Sequence, residues 1–260
     1  MTVPRISISL PTIYERCAAR TLRNIRDATR GTYEVVLVSP FPPPDDLKDN
    51  VVWIEEKVGT GGGCNAGHAA AWPYMRGEYA MAWVDDHFIV DCWDVLAVAG
   101  YERRAPKDGL FALGLRHIFP HHCGTLFGMY YPYFPLLRRE HVEQVGWYDN
   151  RYKKGFADSD LALRIWSAGG RCEWADQAIV VAHLADDNRK EGVMFDQSDM
   201  DLAIERWAPK YGKGWDTSHL RGFNMDIEPG QFPQMCSGNT IMRNDPKFRD
   251  ELVAGGWRVY

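Results

Sequence analysis

The chain has 260 residues, enough to bury a sizeable core as one large α/β domain or two smaller ones. A formal charge of −5 argues against a protein that coats nucleic acid through its overall field, which requires a basic stripe. Six cysteines (Cys17, Cys64, Cys92, Cys123, Cys172 and Cys236) stand far apart without a Cys-x-x-Cys pair, which argues against a disulfide scaffold or structural zinc site and points to free thiols in a reducing compartment.

The first residues, MTVPRISISLPT, lack a basic segment followed by an apolar one, and no apolar run along the chain is long enough to span a bilayer. A soluble, cytoplasmic protein is expected. Residues 5–10 read as a β-branched strand ended by Pro11. Residues 14–29 carry Cys17, Ala18, Leu22 and Ile25 at helical spacing, with Gly31 as the stop. A buried strand follows at 33–39, then a proline-rich turn, then a strand at 51–56. Residues 59–77 begin as a glycine loop and continue as an alanine-rich helix, and 78–86 form another strand. Short apolar strands alternating with helices imply an α/β fold with a mostly parallel central sheet and helices on both faces.

After residue 90 the pattern changes. Residues 108–137 are rich in aromatics, Gly and Pro, and hold strand pieces without a long helical period. A short helix is expected at 138–146, an amphipathic helix at 157–170 closed by Gly169 and Gly170, a last strand at 171–184, and a helix at 195–212 with Leu202, Ile204 and Trp207 among its apolar positions. The aromatic share of 13% is high; such side chains serve core and rim, and also stack on sugars and bases.

The strand at 78–86 ends in two adjacent carboxylates, Asp85 and Asp86, followed by His87. In an open α/β sheet, ligands bind outside the carboxyl ends of the strands. Neighbouring carboxylates repel unless a cation joins them, and a hard divalent ion takes oxygen ligands while bridging to phosphates. The trio therefore suggests a divalent metal bound to a diphosphate; the alternative is a solvated turn with one Asp capping the next segment. His-His-Cys at 121–123 does not point to zinc, because adjacent histidines rarely face one metal and no second ligand pair at helical spacing lies nearby.

The stretch GTGGGCNAGHAAAW (59–72) followed by GEYAMAWVDDHF (77–88) resembles the family 2 nucleotide-sugar glycosyltransferases, which have the GT-A fold. A second block, RREHVEQVGWYDNRYKKGFADSDLALRIWSAGG (138–170), is similar to another segment of that family. The two together with their order extend the resemblance over roughly residues 5–210. It implies a GT-A domain over 1–212, with a nucleotide-binding part at about 1–90, an acceptor-binding part at about 91–212, and an extension at 213–260 packed on the same domain.

By this resemblance Asp85 contacts the ribose or sugar of the donor, and Asp86 and His87 compete for the metal. His183 follows the last strand where relatives reach the metal or diphosphate, with Arg189 and Lys190 just beyond. Asn65 lies in the donor-side helix start, Pro11, Thr12 and Tyr14 lie where the base would rest, and Glu55 ends the third strand. Asp158 matches the acceptor-side general base; read without the resemblance it is a helix N-cap. Asp160 would share the acceptor side and pair with Arg164 one turn on; Trp147 and Tyr148 would stack on the acceptor or belong to the core. The chain departs from the family at Cys64, His87 and Ala157, where Arg, Asp and Glu are usual.

The implied reaction moves a sugar from a nucleoside diphosphate donor, a UDP-sugar first, to an acceptor hydroxyl with inversion, assisted by Mn²⁺ or Mg²⁺. Three other readings stand beside it. A nucleotidyltransferase should carry a basic glycine loop after its first strand, which SLPTIYER (9–16) lacks. An inactive glycan- or nucleotide-binding module accounts for the departures. A modified nucleic-acid base as acceptor needs a basic groove, for which Lys153, Lys154, Arg138 and Arg139 are candidates.

Overall fold

The computed structural model describes residues 3–56, 63–117, 124–126, 129–181 and 197–211. Its first strand, β1 (Ile6–Pro11), shows why the chain folds in layers. Ile6, Ile8 and Leu10 enter one core, while Ser7 and Ser9 face the other side and find partners there. Ser7 Oγ donates to Glu34 at 2.5 Å, and Ser9 Oγ pairs with His68 Nδ1 at 2.7 Å. Helix α1 (Glu15–Ala28) buries Cys17, Ala18, Leu22 and Ile25, the positions its spacing singles out. In β2 (Tyr33–Ser39) both faces are apolar: Val35 and Leu37 join the α1 core, and Val36 and Val38 the opposite one.

The chain continues through β3 (Val51–Glu55), α2 (Gly63–Ala71), β4 (Tyr79–Ala82) and β5 (Phe88–Ile89) to α3 (Trp93–Arg104) and β6 (Phe111–His117). A hairpin, β7 (Gly124–Leu126) and β8 (Met129–Tyr131), precedes β9 (Pro135–Arg138). Helices α4 (Arg139–Val145) and α5 (Ala157–Ser167), strand β10 (Arg171–Val181) and helix α6 (Gln197–Tyr211) complete the described elements. One eight-stranded sheet runs β3-β2-β1-β4-β9-β6-β10-β5. Strands β3, β2, β1 and β4 are mutually parallel, as are β6 and β10. Strand β9 runs antiparallel between β4 and β6, and β5 antiparallel along β10. Residues of α1 and α3 pack on one face and those of α2, α4, α5 and α6 on the other, so the expected α/β architecture holds.

Three local expectations change. The 78–86 strand is shorter: its ladder with β1 ends at Ser9↔Ala82, just before β1 reaches Pro11, which has no N–H to give. Asp85 and Asp86 therefore stand in a turn. Helix α3 had no forecast: its buried residues Trp93, Asp94, Ala97, Val98, Gly100 and Tyr101 share one face, but Asp94 and Gly100 within that stripe and exposed Val95 outside it hide the apolar period. Buried Asp94 is satisfied from afar, accepting the N–H groups of Arg30 at 3.2 Å and Gly31 at 2.6 Å. Arg138 and Arg139 fall at the opposite end of the sheet from Asp85, because antiparallel β9 pairs Arg138 with Tyr79 at the start of β4. There Arg138 binds Glu102 at 2.8 Å, and Arg139 donates to the carbonyls of Gly77 and Met75, so the two build no groove with Lys153 and Lys154.

His183, Arg189, Lys190, the His-His-Cys at 121–123, most of the glycine loop and the 213–260 extension lie outside the described residues. Among the described residues no disulfide joins Cys17, Cys64, Cys92 or Cys172, and no helix is long and apolar enough to cross a membrane.

Candidate active site

The parallel strands bring Thr12, Glu55 and Asp85 to one edge of the sheet. Thr12 follows β1 and is held there by its N–H on Val38 O at 3.0 Å. Its hydroxyl donates to Asp85 Oδ2 and accepts the Tyr14 N–H at 3.1 Å. From α1, Thr21 Oγ donates to the Asp85 carbonyl at 3.1 Å. Asp85 is thus fixed through both its side chain and its backbone, and buried. Glu55 stands exposed at the end of edge strand β3.

Asp86 Oδ1 lies 2.6 Å from His87 Nδ1, and the buried His87 ring packs on Phe134 with centroids 5.0 Å apart. A proton on Nδ1 leaves Nε2 as the acceptor nitrogen, the arrangement in which a carboxylate orients a metal-binding imidazole. Among the described residues no three His, Cys, Asp or Glu side chains converge as a ready metal cage. That donor set fits an ion completed by phosphate oxygens and water, as Mg²⁺ and Mn²⁺ sites on diphosphates often are.

Asp158 is the second residue of α5, after Phe156 in the N-cap position with a left-handed φ of 64°. It is therefore not the cap. Its Oδ1 accepts the Ser159 N–H at 2.8 Å, and the group is only partly exposed. Burial pushes its carboxyl up to about 6, against the lowering effect of the Ser159 N–H and its own. Among the described residues no cationic side chain contributes to holding it ionised. Burial and the Asp158 charge together raise the Tyr148 phenol. Cys64 is an exposed residue whose thiol is nonetheless crowded by protein; that loss of hydration, Asp158 and, more weakly, Asp85 raise it to about 11. Cys64 thus feels the charge of both carboxylates.

The start of α2 and the loop before α5 are locked together. Asn65 N donates to Lys153 O at 3.4 Å, Asn65 Nδ2 to Gly155 O at 3.1 Å, and Cys64 Sγ toward Lys154 O at 3.9 Å. Further along α2, a Cβ added at Gly67 would stand 2.5 Å from the Pro11 Cβ. Gly67→Ala gains about 1 kcal/mol of helix propensity yet forces α2 away from the end of β1. The expected result is a lower melting temperature; a variant that melts like the parent would show that the α2–β1 contact accommodates a methyl group.

Trp147 and Tyr148 are buried in the core, at 5% and 8% exposure. Trp147 stacks near Trp72 at 6.0 Å, and Tyr148 tilts on His68 at 4.6 Å. Asp160 is fully buried, accepting from Tyr152 OH at 3.2 Å, Trp207 Nε1 at 2.8 Å and Arg164 Nε at 2.9 Å, with Arg206 at 3.1 Å. The forecast pair with Arg164 is present. Tyr133, which the sequence did not single out, is 37% exposed and feels the Asp158 charge. A cavity of about 510 Å³ lined by Glu34, Asn50 and Arg76 opens at the amino ends of β1, β2 and β3, across the sheet from these groups. Size alone does not choose the site, since in parallel sheets chemistry gathers at the carboxyl ends.

No family model and no curated protein matches the sequence. Solved structures match its shape. Staphylococcus aureus TarS residues 1–349, in complex with UDP-GlcNAc, superposes with a TM-score of 0.59 at 11% identity, covering 96% of this chain and 79% of that one. The mannosyltransferase PcManGT from Pyrobaculum calidifontis, with GDP-Man and Mn²⁺, gives 0.54 at 15% identity, covering 97% and 86%. GalNAc-T7, with UDP, GalNAc and Mn²⁺, gives 0.53 at 14% identity, covering 96% of this chain and 55% of that one. At such identities the likeness is one of architecture, and the chain has the α/β fold of the GT-A glycosyltransferases.

Proposed function

We propose that the protein transfers a sugar from a nucleoside diphosphate donor to an acceptor hydroxyl, with inversion at the sugar carbon. The observation that carries this is Asp158: a carboxylate at the start of α5, raised to about 6 by burial, unpaired with any cation among the described residues, whose charge is felt by Cys64 together with that of Asp85. Such a group is ionised at neutral pH yet a stronger proton acceptor than an ordinary surface Asp. It takes the proton of the acceptor hydroxyl as that oxygen bonds to the anomeric carbon. The carbon–oxygen bond to the diphosphate breaks on the opposite face, and the nucleoside diphosphate leaves.

Asp85, fixed by Thr12 and Thr21, accepts hydrogen bonds from ribose or sugar hydroxyls. Pro11 and Thr12 lie beneath the base, with Glu55 and Asn65 flanking the donor. Asp86 and His87 hold Mn²⁺ or Mg²⁺, with His183 and Arg189 as further donor-side groups. When bound, the ion offsets the charge of the diphosphate as it leaves. Tyr133, partly exposed and sensitive to the Asp158 charge, would supply an aromatic ring for the acceptor. UDP-sugars are the first donors to try, since TarS and GalNAc-T7 are the neighbours seen with UDP or its sugar.

Calorimetry with UDP, GDP and their sugars, in Mn²⁺, Mg²⁺ or EDTA, tests this reading. One diphosphate should bind, and EDTA should weaken it about tenfold or more, ~1.4 kcal/mol. If no nucleotide binds under any condition, the transfer reading fails and the inactive-module reading takes its place.

A further inference from the structure

Asp199 lies in the first turn of α6 and is completely buried. Its carboxylate accepts three consecutive backbone N–H groups: Lys153 at 2.8 Å on one oxygen, and Lys154 at 2.7 Å and Gly155 at 2.9 Å on the other. Successive N–H groups converging on one anion form a backbone nest. Here the anion is the protein's own.

The carbonyls of the same three residues serve the other side of the loop. They receive Asn65 N, Cys64 Sγ and Asn65 Nδ2 from the start of α2. The fit is close: a Cβ at Gly63, whose φ is +63°, would stand 2.1 Å from Lys153 O. One residue beyond the loop, Phe156 takes its left-handed φ of 64°, and the chain enters α5 with Asp158 in its first turn. The loop therefore sits between the Asp199 carboxylate and the donor-side helix, and its exit direction sets where the base-bearing turn begins.

We propose that Asp199 is a positioning residue for sugar transfer: by gathering the N–H groups of residues 153–155, it sets the placement of Asp158 relative to the start of α2. This rests on the glycosyltransferase reading above. Asp199 donates nothing to substrate and sits behind the loop. Its effect falls on the alignment of the acceptor hydroxyl with the base, and a misplacement of about 1 Å at a reacting group costs about a hundredfold in rate.

The test compares the parent with Asp199→Asn and Asp199→Ala in the full chain. Asn keeps one acceptor oxygen but turns an amide N–H₂ toward the remaining backbone N–H groups, so it loosens the nest with little change in volume. Two readouts need no turnover: carbon NMR titration of the Asp158 carboxyl, and the rate at which a maleimide labels Cys64. Expected in Asp199→Asn are a downward shift of the Asp158 titration, as the loosened loop admits water, and faster Cys64 labelling. Where transfer is detected, kcat should fall about tenfold to a hundredfold, with donor KM within about twofold, and Ala should be worse than Asn. An Asp199→Asn protein with parental titration, labelling and kcat overturns the proposal, as does one that loses only melting temperature. If Asp199→Ala does not fold, Asp199→Asn alone decides. Absence of transfer in the parent strikes the glycosyltransferase reading instead, while the NMR and labelling results still decide the role of Asp199 in placing Asp158.

Discussion

Asp158→Asn is expected to lower the proposed sugar transfer by about a thousandfold while nucleotide affinity stays within about twofold of the parent, the range expected when a general base is removed. The amide still accepts the Ser159 N–H, so the turn at the start of α5 stays in place and only proton acceptance is lost. The parent enzyme's kcat/KM should rise with pH through an acid limb near 6, the value to which burial pushes the carboxyl. The titratable groups facing it, Cys64, Tyr148 and Tyr133, are all raised and remain neutral there. Stability should move the other way. A folded-state value near 6 lies above the ordinary 3.8, so the stabilisation tied to protonated Asp158 is present in acid and is lost as pH rises through 6. Asp158→Asn escapes that loss and should be more stable than the parent at pH 7.5 by about 3 kcal/mol. Thermal melts at pH 5 and 7.5 read this directly: a gain equal at both pH values would show that the carboxylate is not penalised in the fold. Normal turnover by the variant would remove Asp158 from the chemistry altogether.

Asp160→Ala carries the largest expected stability loss, about 3–5 kcal/mol. The carboxylate is the counter-charge of Arg164 and Arg206 in the protein interior and also receives Tyr152 and Trp207. Burial already pulls the Arg164 guanidinium below its ordinary value in spite of Asp160. That guanidinium goes on to hold the carbonyls of Val145, Gly146 and Trp147, so losing its anion also frees the segment leading toward α5. Asp160→Asn keeps an acceptor and should cost less, about 1–2 kcal/mol. Urea unfolding of the two variants against the parent is the measurement; a loss under about 1 kcal/mol for Ala would mean that the network contributes far less than its burial implies.

What the sequence disclosed follows physical range. The alternation of β1 and the apolar run Val35–Val38 within β2 are local patterns, and both strands emerged within a residue of their forecast ends. Helix α3 was not legible because its polar Asp94 is buried for the sake of residues 30 and 31, more than sixty positions away in sequence. Arg138 and Arg139 were assigned to the wrong end of the sheet because the direction of β9 is decided by its neighbours and not by its four residues. Asp158 was visible as a position only through the resemblance of 138–170. Its raised carboxyl was not readable, because it comes from burial of the group, which tertiary packing decides and the local run 157–170 does not show. Asp199 left no signal: an acid in the first turn of a helix is ordinary, and its partners lie some forty-five residues earlier.

The antiparallel insertion of β9 also determines how the molecule must assemble. Met81 pairs with Leu136, and Leu136 in turn pairs with Leu113, so one strand from late in the chain welds the β1–β4 block to the β6–β10 block. Meanwhile β5, from the early part, docks on the far side of β10. The early strands β3-β2-β1-β4 thus form one block and the late strands β9-β6-β10 another, with early β5 alone crossing to the far edge. The junction of β4 with β9 and the crossover of β5 to β10 are long-range pairings, whose loop closures slow folding. The β9 junction also ties the two blocks mechanically: opening the sheet between the Asp85 side and the Asp158 side means breaking the β9 ladder, so any closure around a substrate falls to the loops at the rim.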